Sequence, residues 1–214
     1  MNPDPSTLRR DYKNEPLRRA DMAADPLIEL ELWFLEAQTA KVLEPNALIL
    51  GTVDAAGEVS TRTVLMKGID ARGVTFFTNY ESEKGRALAE HPQASMTFLW
   101  LDLERQVHLR GTVEKVTEEE SDLYFAARPY GSQIGALASL QSSVVETREV
   151  LEERFDELRA QYPEGSVIPR PECWGGYRLM PDTVEFWQGR RSRMHDRLRY
   201  RRDDGGWVVD RLCP

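Results

Sequence analysis

The chain has 214 residues, is 41% hydrophobic and 30% charged, and carries a formal net charge of -8. That size suits one large globular domain or two small ones, and the acidic balance excludes nucleic-acid binding through bulk charge, so any anion must be held by a local basic cluster. Met1-Asn2-Pro3-Asp4-Pro5 has no signal-peptide core, no apolar run approaches a membrane span, and Cys173 and Cys213 match no metal spacing or disulfide framework. The expectation is a cytoplasmic protein with neither a membrane nor a nucleic-acid partner.

Residues 1–24 are polar and aperiodic, and they read as a mobile N-terminal arm that orders against a partner or ligand. Asp25-Pro26 starts a helix, with Leu27, Leu30, Phe34 and Ala37 at helical spacing. Ala47 to Val53 and Val59 to Lys67 form a hairpin around a turn containing Gly57, and Val74 to Thr78 is a further strand. Ser82 caps a short helix that Pro92 closes. Ala94 to Leu101 and Gln106 to Val116 form a second hairpin. Thr117 and Glu120 make a capping box for a helix to about Ala127. Ser143 and Glu146 make another before a helix from Val145 to Tyr162, with Leu151, Phe155, Leu158 and Tyr162 on one face. After a loop with Pro163, Pro169 and Pro171 come strands at Gly176 to Leu179, Thr183 to Gln188 and Leu198 to Arg201. A turn at Asp203-Asp204-Gly205-Gly206 leads into the last strand, Trp207 to Leu212.

About eight strands, mostly in antiparallel hairpins and without a strand–helix–strand repeat, predict a mainly β fold with flanking helices: an antiparallel barrel spanning residues 25–214 as one domain. No glycine-rich nucleotide loop is present. His91, His108 and His195 are scattered outside any metal-ligand spacing, so no metal is expected.

Four clusters could carry chemistry. Glu185 to Arg197 packs four arginines, His195 and Trp187 into thirteen residues of an acidic chain. Guanidinium forks beside a flat ring suit a small, anionic, aromatic ligand, whereas a solvated edge strand with Trp187 in the core explains the same pattern equally well. Ser82 and Lys84 open a helix whose free N–H groups favour a phosphate, and Arg62 can join them from a neighbouring strand. Arg62 and Lys67 are five apart, so an ideal strand points them to opposite faces. Tyr124 and Arg128 share a helix face, and Ser132 follows Pro129, which makes a second phosphate cradle or a plain surface edge. Gln106, Gln141 and Ser142 offer amides and a hydroxyl able to read a heteroaromatic edge.

Several segments in order resemble the FMN-dependent pyridoxine/pyridoxamine 5'-phosphate oxidase family. They include Leu8-Arg9-Arg10-Asp11-Tyr12, Arg62-Thr63-Val64-Leu65-Met66-Lys67, Phe77-Thr78-Asn79 and Glu104-Arg105-Gln106-Val107. They continue as Arg128-Pro129-Tyr130-Gly131-Ser132-Gln133-Ile134-Gly135, Gln141-Ser142-Ser143, Trp174-Gly175-Gly176-Tyr177, Glu185-Phe186-Trp187-Gln188-Gly189, Arg193-Met194-His195-Asp196-Arg197 and Asp210-Arg211-Leu212. The likeness runs from about Leu8 to Pro214. It implies a split β-barrel and a homodimer with FMN between subunits. It implies FMN contacts from Arg62, Lys67, Phe77, Thr78, Lys84, Gln106, Gln141, Ser142, Trp187 and Arg197. Lys67, Tyr124, Arg128 and Ser132 would hold the substrate phosphate. Arg193 and His195 would be the catalytic pair over the substrate ring, with Arg9 and Tyr12 in a lid. The implied reaction oxidises pyridoxamine or pyridoxine 5'-phosphate to pyridoxal 5'-phosphate, with O2 reduced to H2O2 and NH3 released from the amine. A flavin oxidase of phenazine-type biosynthesis and a non-catalytic flavin- or B6-binding barrel are the competing readings. Many family members carry Arg where this chain has Glu83, and Arg86 is the residue nearby in sequence that could compensate.

Overall fold

The computed structural model describes residues 11, 12 and 14–214; Arg9 and the rest of residues 1–10, with residue 13, lie outside the described residues. The first helix, α1 (Pro26–Thr39), starts as its sequence dictates. The Asp25 carboxylate accepts from the Leu27 N–H at 2.8 Å, and Pro26 occupies the first turn. Its inner face buries Leu27, Leu30, Trp33 and Ala37. Trp33, and not the expected Phe34, lies at the centre of that face; Phe34 packs at the edge of the core.

Among the described residues, nine strands build one antiparallel sheet: β1 (Ala47–Val53), β2 (Val59–Leu65), β3 (Gly68–Asp70), β4 (Gly73–Asn79), β5 (Gln93–Trp100), β6 (Arg105–Lys115), β7 (Trp174–Gln188), β8 (Asp196–Asp203) and β9 (Gly206–Arg211). The order is β2-β1-β5-β6-β7-β4-β3, with β8 and β9 continuing from β7. The sheet curls into a barrel with helices outside it, as expected from the hairpin pattern, and the barrel is split, as the resemblance implies. The long strand β7 makes this possible. Its first half, Trp174 to Leu179, pairs with β4, and its second half, Thr183 to Gln188, pairs with β8. Along almost its whole length β7 also pairs with β6, across a bulge at Arg110/Gly111. A Cβ at Gly111 would meet the Met180 carbonyl oxygen at 2.0 Å, so only glycine permits this crossing.

The expected strands Gly176 to Leu179 and Thr183 to Gln188 are two halves of this single β7, which runs on through Pro181 even though proline lacks the N–H a central strand needs. The bulge sits at that position, and pairing resumes beyond it. Strand β3, at three residues, is too short for a periodic signal. Helices α2 (Glu83–Glu90) and α3 (Glu118–Ala126) begin at the expected caps, Ser82 and Thr117. Helix α4 (Tyr130–Ala138), foreseen only as a helix start near Ser132, follows Pro129 directly. Helix α5 (Arg148–Gln161) starts after Thr147, and no helix begins at the Ser143/Glu146 box. Residues 139–147 run as turns and extended chain, with Ser142 at a φ of 72°. On α5, Phe155, Leu158 and Tyr162 pack against a second core of Phe125, Ile134, Ile168 and Trp174, while Leu151 stays exposed.

The capping box on α3 is complete. Thr117 Oγ1 accepts from the Glu120 N–H at 3.1 Å, and Glu120 Oε2 accepts from the Thr117 N–H at 2.9 Å. Glu120 Oε1 also accepts from the buried Arg178 at 2.7 Å. The backbone N–H and the guanidinium hold the Glu120 carboxyl at about 2, against an ordinary value of 4.5. A depressed folded value means stability that is present above pH 4.5 and lost as pH falls toward about 2. Urea unfolding of Glu120→Gln should therefore show a flatter pH dependence across that window than the parent chain. Superimposable profiles would contradict the assignment.

Candidate functional site

A cleft of about 760 Å³ opens beside β2, β4, α2, α3 and α4. Its walls bring together Arg62, Lys67, Phe77, Thr78, Lys84, Tyr124, Arg128, Ser132 and Gln141, nine of the residues singled out in the sequence. The parity problem between Arg62 and Lys67 is solved within the chain. Strand β2 ends at Leu65; the Met66 N–H then donates to Asn46 and the Lys67 N–H to Thr75, both at 2.8 Å. The ladder partner changes from β1 to β4 at this bend, and both cations reach one cleft.

At one end lies the start of α2. Lys84 is buried and donates from Nζ to Gln141 Oε1 at 3.2 Å, Thr78 Oγ1 at 3.3 Å and Ser82 Oγ at 3.4 Å. Burial pushes its ammonium below the usual lysine value, neighbouring Arg62 adds to that, and Glu83 opposes it. Arg62 donates to Thr52 Oγ1 at 2.7 Å and pairs with Glu83 at 3.3 Å. Arg86, the expected compensating charge, turns instead to the Glu81 carbonyl and does not line the cleft.

At the other end Phe77, Tyr124 and Trp174 present nearly parallel rings. Phe77 and Tyr124 lie 3.9 Å apart at 20°, and Tyr124 and Trp174 lie 6.1 Å apart at 7°. The Arg128 guanidinium sits 4.7 Å from the Trp174 ring centre. Its Nη1 is buried without a hydrogen-bond partner, and burial pushes the group below the usual arginine value. A buried, unpaired guanidinium nitrogen in a cleft wall is a seat for an anion. Ser132, near the start of α4, faces the same space.

Trp174 was not singled out as a site residue. Its signal lay in the two glycines that follow it. A Cβ at Gly175 would meet Tyr80 Oη at 2.1 Å, and one at Gly176 would meet Val116 at 2.6 Å and Phe77 at 2.8 Å. The strand must run close beneath these side chains, and that places Trp174 in the ring stack.

The remaining residues gather elsewhere. Gln106, Trp187 and Arg197 are direct partners across β6, β7 and β8 and so lie side by side on one face. Trp187 is half-buried, while the core positions beside it are Val184 and Phe186, so the edge-strand reading with Trp187 in the core does not hold. Glu185 grips Arg197 through two contacts of 2.7 and 3.0 Å. His195 lies 4.7 Å from Trp187 between ring centres, and Tyr12 lies 5.6 Å from His195. The Arg190 N–H donates to His195 Nδ1 at 3.0 Å, which leaves the proton of the neutral ring on Nε2. Arg193 is exposed in a short turn where it and Ser192 both adopt left-handed φ values of 59° and 56°. Ser142 is exposed and does not line the cleft, and Arg9 lies outside the described residues. Within one chain the candidate residues therefore form two separate half-sites.

Comparison with known proteins adds a family. The model of the pyridoxamine 5'-phosphate oxidase family matches residues 34–162, and that of the pyridoxine 5'-phosphate oxidase C-terminal dimerisation region matches residues 174–214. A pyridoxine/pyridoxamine 5'-phosphate oxidase of Cupriavidus taiwanensis is 56% identical over 208 residues, and one of Burkholderia thailandensis is 54% identical over 210, each match covering 97% of both chains. Among solved structures, PhzG from Burkholderia lata, in complex with tetrahydrophenazine-1-carboxylic acid, is 36% identical with a TM-score of 0.88 over 94% of this chain and 98% of its own. An FMN-binding protein of Nostoc punctiforme shares the fold at a TM-score of 0.74 and 16% identity, over 90% of this chain and all of its own. With these matches spanning nearly its whole length, the chain belongs to the pyridoxamine 5'-phosphate oxidase family.

Proposed function

We propose that this protein is an FMN-dependent oxidase that converts pyridoxamine and pyridoxine 5'-phosphates to pyridoxal 5'-phosphate, with O2 as acceptor. The observation that carries the reading is one cleft with two anion seats, Arg62 with Lys84 and Arg128 with Tyr124 and Ser132, and stacked rings beside the second. One seat suits the phosphate of a flavin and the other that of a phosphorylated substrate. The near-full-length likeness to enzymes bearing that name supports the same conclusion.

The residues present fit the cofactor. Lys84 and the first N–H groups of α2 would meet the FMN phosphate, with Arg62 beside them. Thr78, Phe77, Gln141 and Lys67 would line the rest, and Gln106, Trp187 and Arg197 would complete the contact; Ser142, outside the cleft wall, would meet FMN only from its rim. FMN, when bound, supplies a two-electron acceptor. The protein's own groups bind and orient. Arg128, Tyr124, Ser132 and Lys67 would fix the substrate phosphate. Arg193 would guide the polar edge of the ring, and His195, with its proton on Nε2, would offer a donor there. Tyr12, and Arg9 in the same arm, would cover the substrate and exclude water.

The two half-sites call for a homodimer in which the Trp187–His195 face of one protomer closes the cleft of its partner. The match of residues 174–214 to a dimerisation region supports this arrangement. Light scattering of the FMN-loaded protein should give about twice the chain mass of 24.6 kDa. Mixed dimers of Lys84→Ala and His195→Ala chains should recover activity that neither variant has alone. A monomer that retains FMN would contradict the shared site.

An assay of pyridoxamine 5'-phosphate turnover with peroxide release tests the function. A phenazine-type oxidase, whose substrate class has no phosphate, would not turn this substrate over. A non-catalytic binder would hold flavin and release no peroxide. Among the described residues no helix is long and apolar enough to cross a membrane, and we assign the enzyme to the cytoplasm.

A further inference from the structure

The anion seat at the start of α2 contains a third charge. Glu83, the first residue of that helix, directs Oε1 to Arg62 Nη2 at 3.3 Å. The other acceptors of this guanidinium are neutral: the Leu50 and Ser60 carbonyls, Thr52 Oγ1 and Ser60 Oγ. The acceptors of Lys84 are neutral as well. Among the described residues, Glu83 is thus the carboxylate paired with either cation of the seat. Its side chain is 63% exposed and that of Arg62 only 18%. The acid is the solvent-facing partner of the pair, and the guanidinium lines the cleft.

We propose that Glu83 competes with the phosphate of the bound flavin for Arg62, and so sets the affinity of this site below what its two cations would give alone. The proposal rests on the reading that FMN places its phosphate at this seat. A phosphate monoester brings close to two negative charges at neutral pH. Arg62 and Lys84 match that charge, and Glu83 cancels half of the match. The field at the helix N-terminus is shared in the same way, because it favours the carboxylate and the phosphate alike. Nη1 of Arg62 is committed to β1 and β2, and Nη2 is already shared by Ser60 Oγ and Glu83, so a phosphate that reaches Nη2 meets Glu83 there.

A plain structural role for Glu83 predicts no gain in FMN affinity when the acid is removed. An acid in the first turn stabilises its helix, so removing it lowers thermal stability slightly under either account. Only competition makes the same substitution tighten a phosphorylated ligand. The test uses full-length protein stripped of flavin, with FMN and riboflavin titrated separately by quenching of flavin fluorescence. Glu83→Gln should bind FMN roughly two- to fivefold more tightly than the parent, the range of a partly exposed ion pair, and Glu83→Arg should bind more tightly still. Riboflavin, which has no phosphate, should bind all three proteins equally. Either variant matching or falling below the parent for FMN overturns the proposal, as does equal tightening for riboflavin. A parent chain that binds no FMN overturns the functional reading itself, and this proposal with it.

Discussion

Arg128→Ala is expected to raise KM for pyridoxamine 5'-phosphate by roughly ten- to a hundredfold, the cost of about 1.5–3 kcal/mol for a lost charge-assisted hydrogen bond, while the protein still purifies with its flavin. The geometry explains both halves. Nη1 of Arg128 is buried and unpaired, and the guanidinium lies on the Trp174 ring at the end of the cleft away from Lys84. It is positioned for an anion other than the one proposed for the Arg62–Lys84 seat. Arg128→Lys should recover only part of the loss, because an ammonium lacks the planar fork that stacks on indole. The unphosphorylated amine should be a poor substrate for parent and variant alike. Steady-state kinetics with both compounds decide the matter. An equal effect on both compounds would place Arg128 outside phosphate recognition.

The second large effect concerns Lys84. Lys84→Met should weaken FMN binding roughly ten- to a hundredfold, again by loss of a charge-assisted contact to phosphate. Yet the flavin-free variant should be at least as resistant to heat as the parent. Lys84 is buried, its ammonium is pushed below the usual lysine value chiefly by burial, and its partners in the structure are neutral oxygens. Holding such a charge costs stability, which an apolar side chain of similar length relieves. Function and stability therefore change in opposite directions at one position. Fluorescence titration and thermal unfolding of the flavin-free protein measure the two. A variant that keeps FMN affinity, or that unfolds well below the parent, contradicts this assignment.

The parts of the fold legible in the sequence were those governed by local rules. The caps at Asp25, Ser82 and Thr117 stand where side-chain chemistry demands them. The hairpins β1–β2 and β5–β6 follow from alternation and turn residues. What was not legible depended on distant partners. Pro181 stays inside β7 because Gly111, seventy residues earlier in the chain, allows a bulge there. The Ser143/Glu146 pair satisfies a capping pattern, but the chain does not become helical until Arg148. The site shows the same division. Residue types and spacing marked Lys84 and the Tyr124–Arg128 pair, yet neither strand parity nor helix spacing could say that the two clusters share a cleft. The break after Leu65 that reconciles Arg62 with Lys67 is a tertiary event, made by a change of strand partner. The separation of Trp187 and His195 from that cleft is likewise a product of the sheet order, with β8 branching from the far half of β7.

The central claim is that one protein binds FMN and a phosphorylated B6 vitamer so that electrons pass from the second to the first. Anaerobic mixing of the FMN-loaded protein with pyridoxine 5'-phosphate tests it most directly. The account predicts that the yellow flavin absorbance disappears, that admitting oxygen restores it with release of peroxide, and that His195→Ala bleaches more slowly at unchanged FMN content. A parent protein whose bound flavin stays yellow with both pyridoxine and pyridoxamine 5'-phosphates would contradict the oxidase reading and leave a flavin-binding barrel in its place.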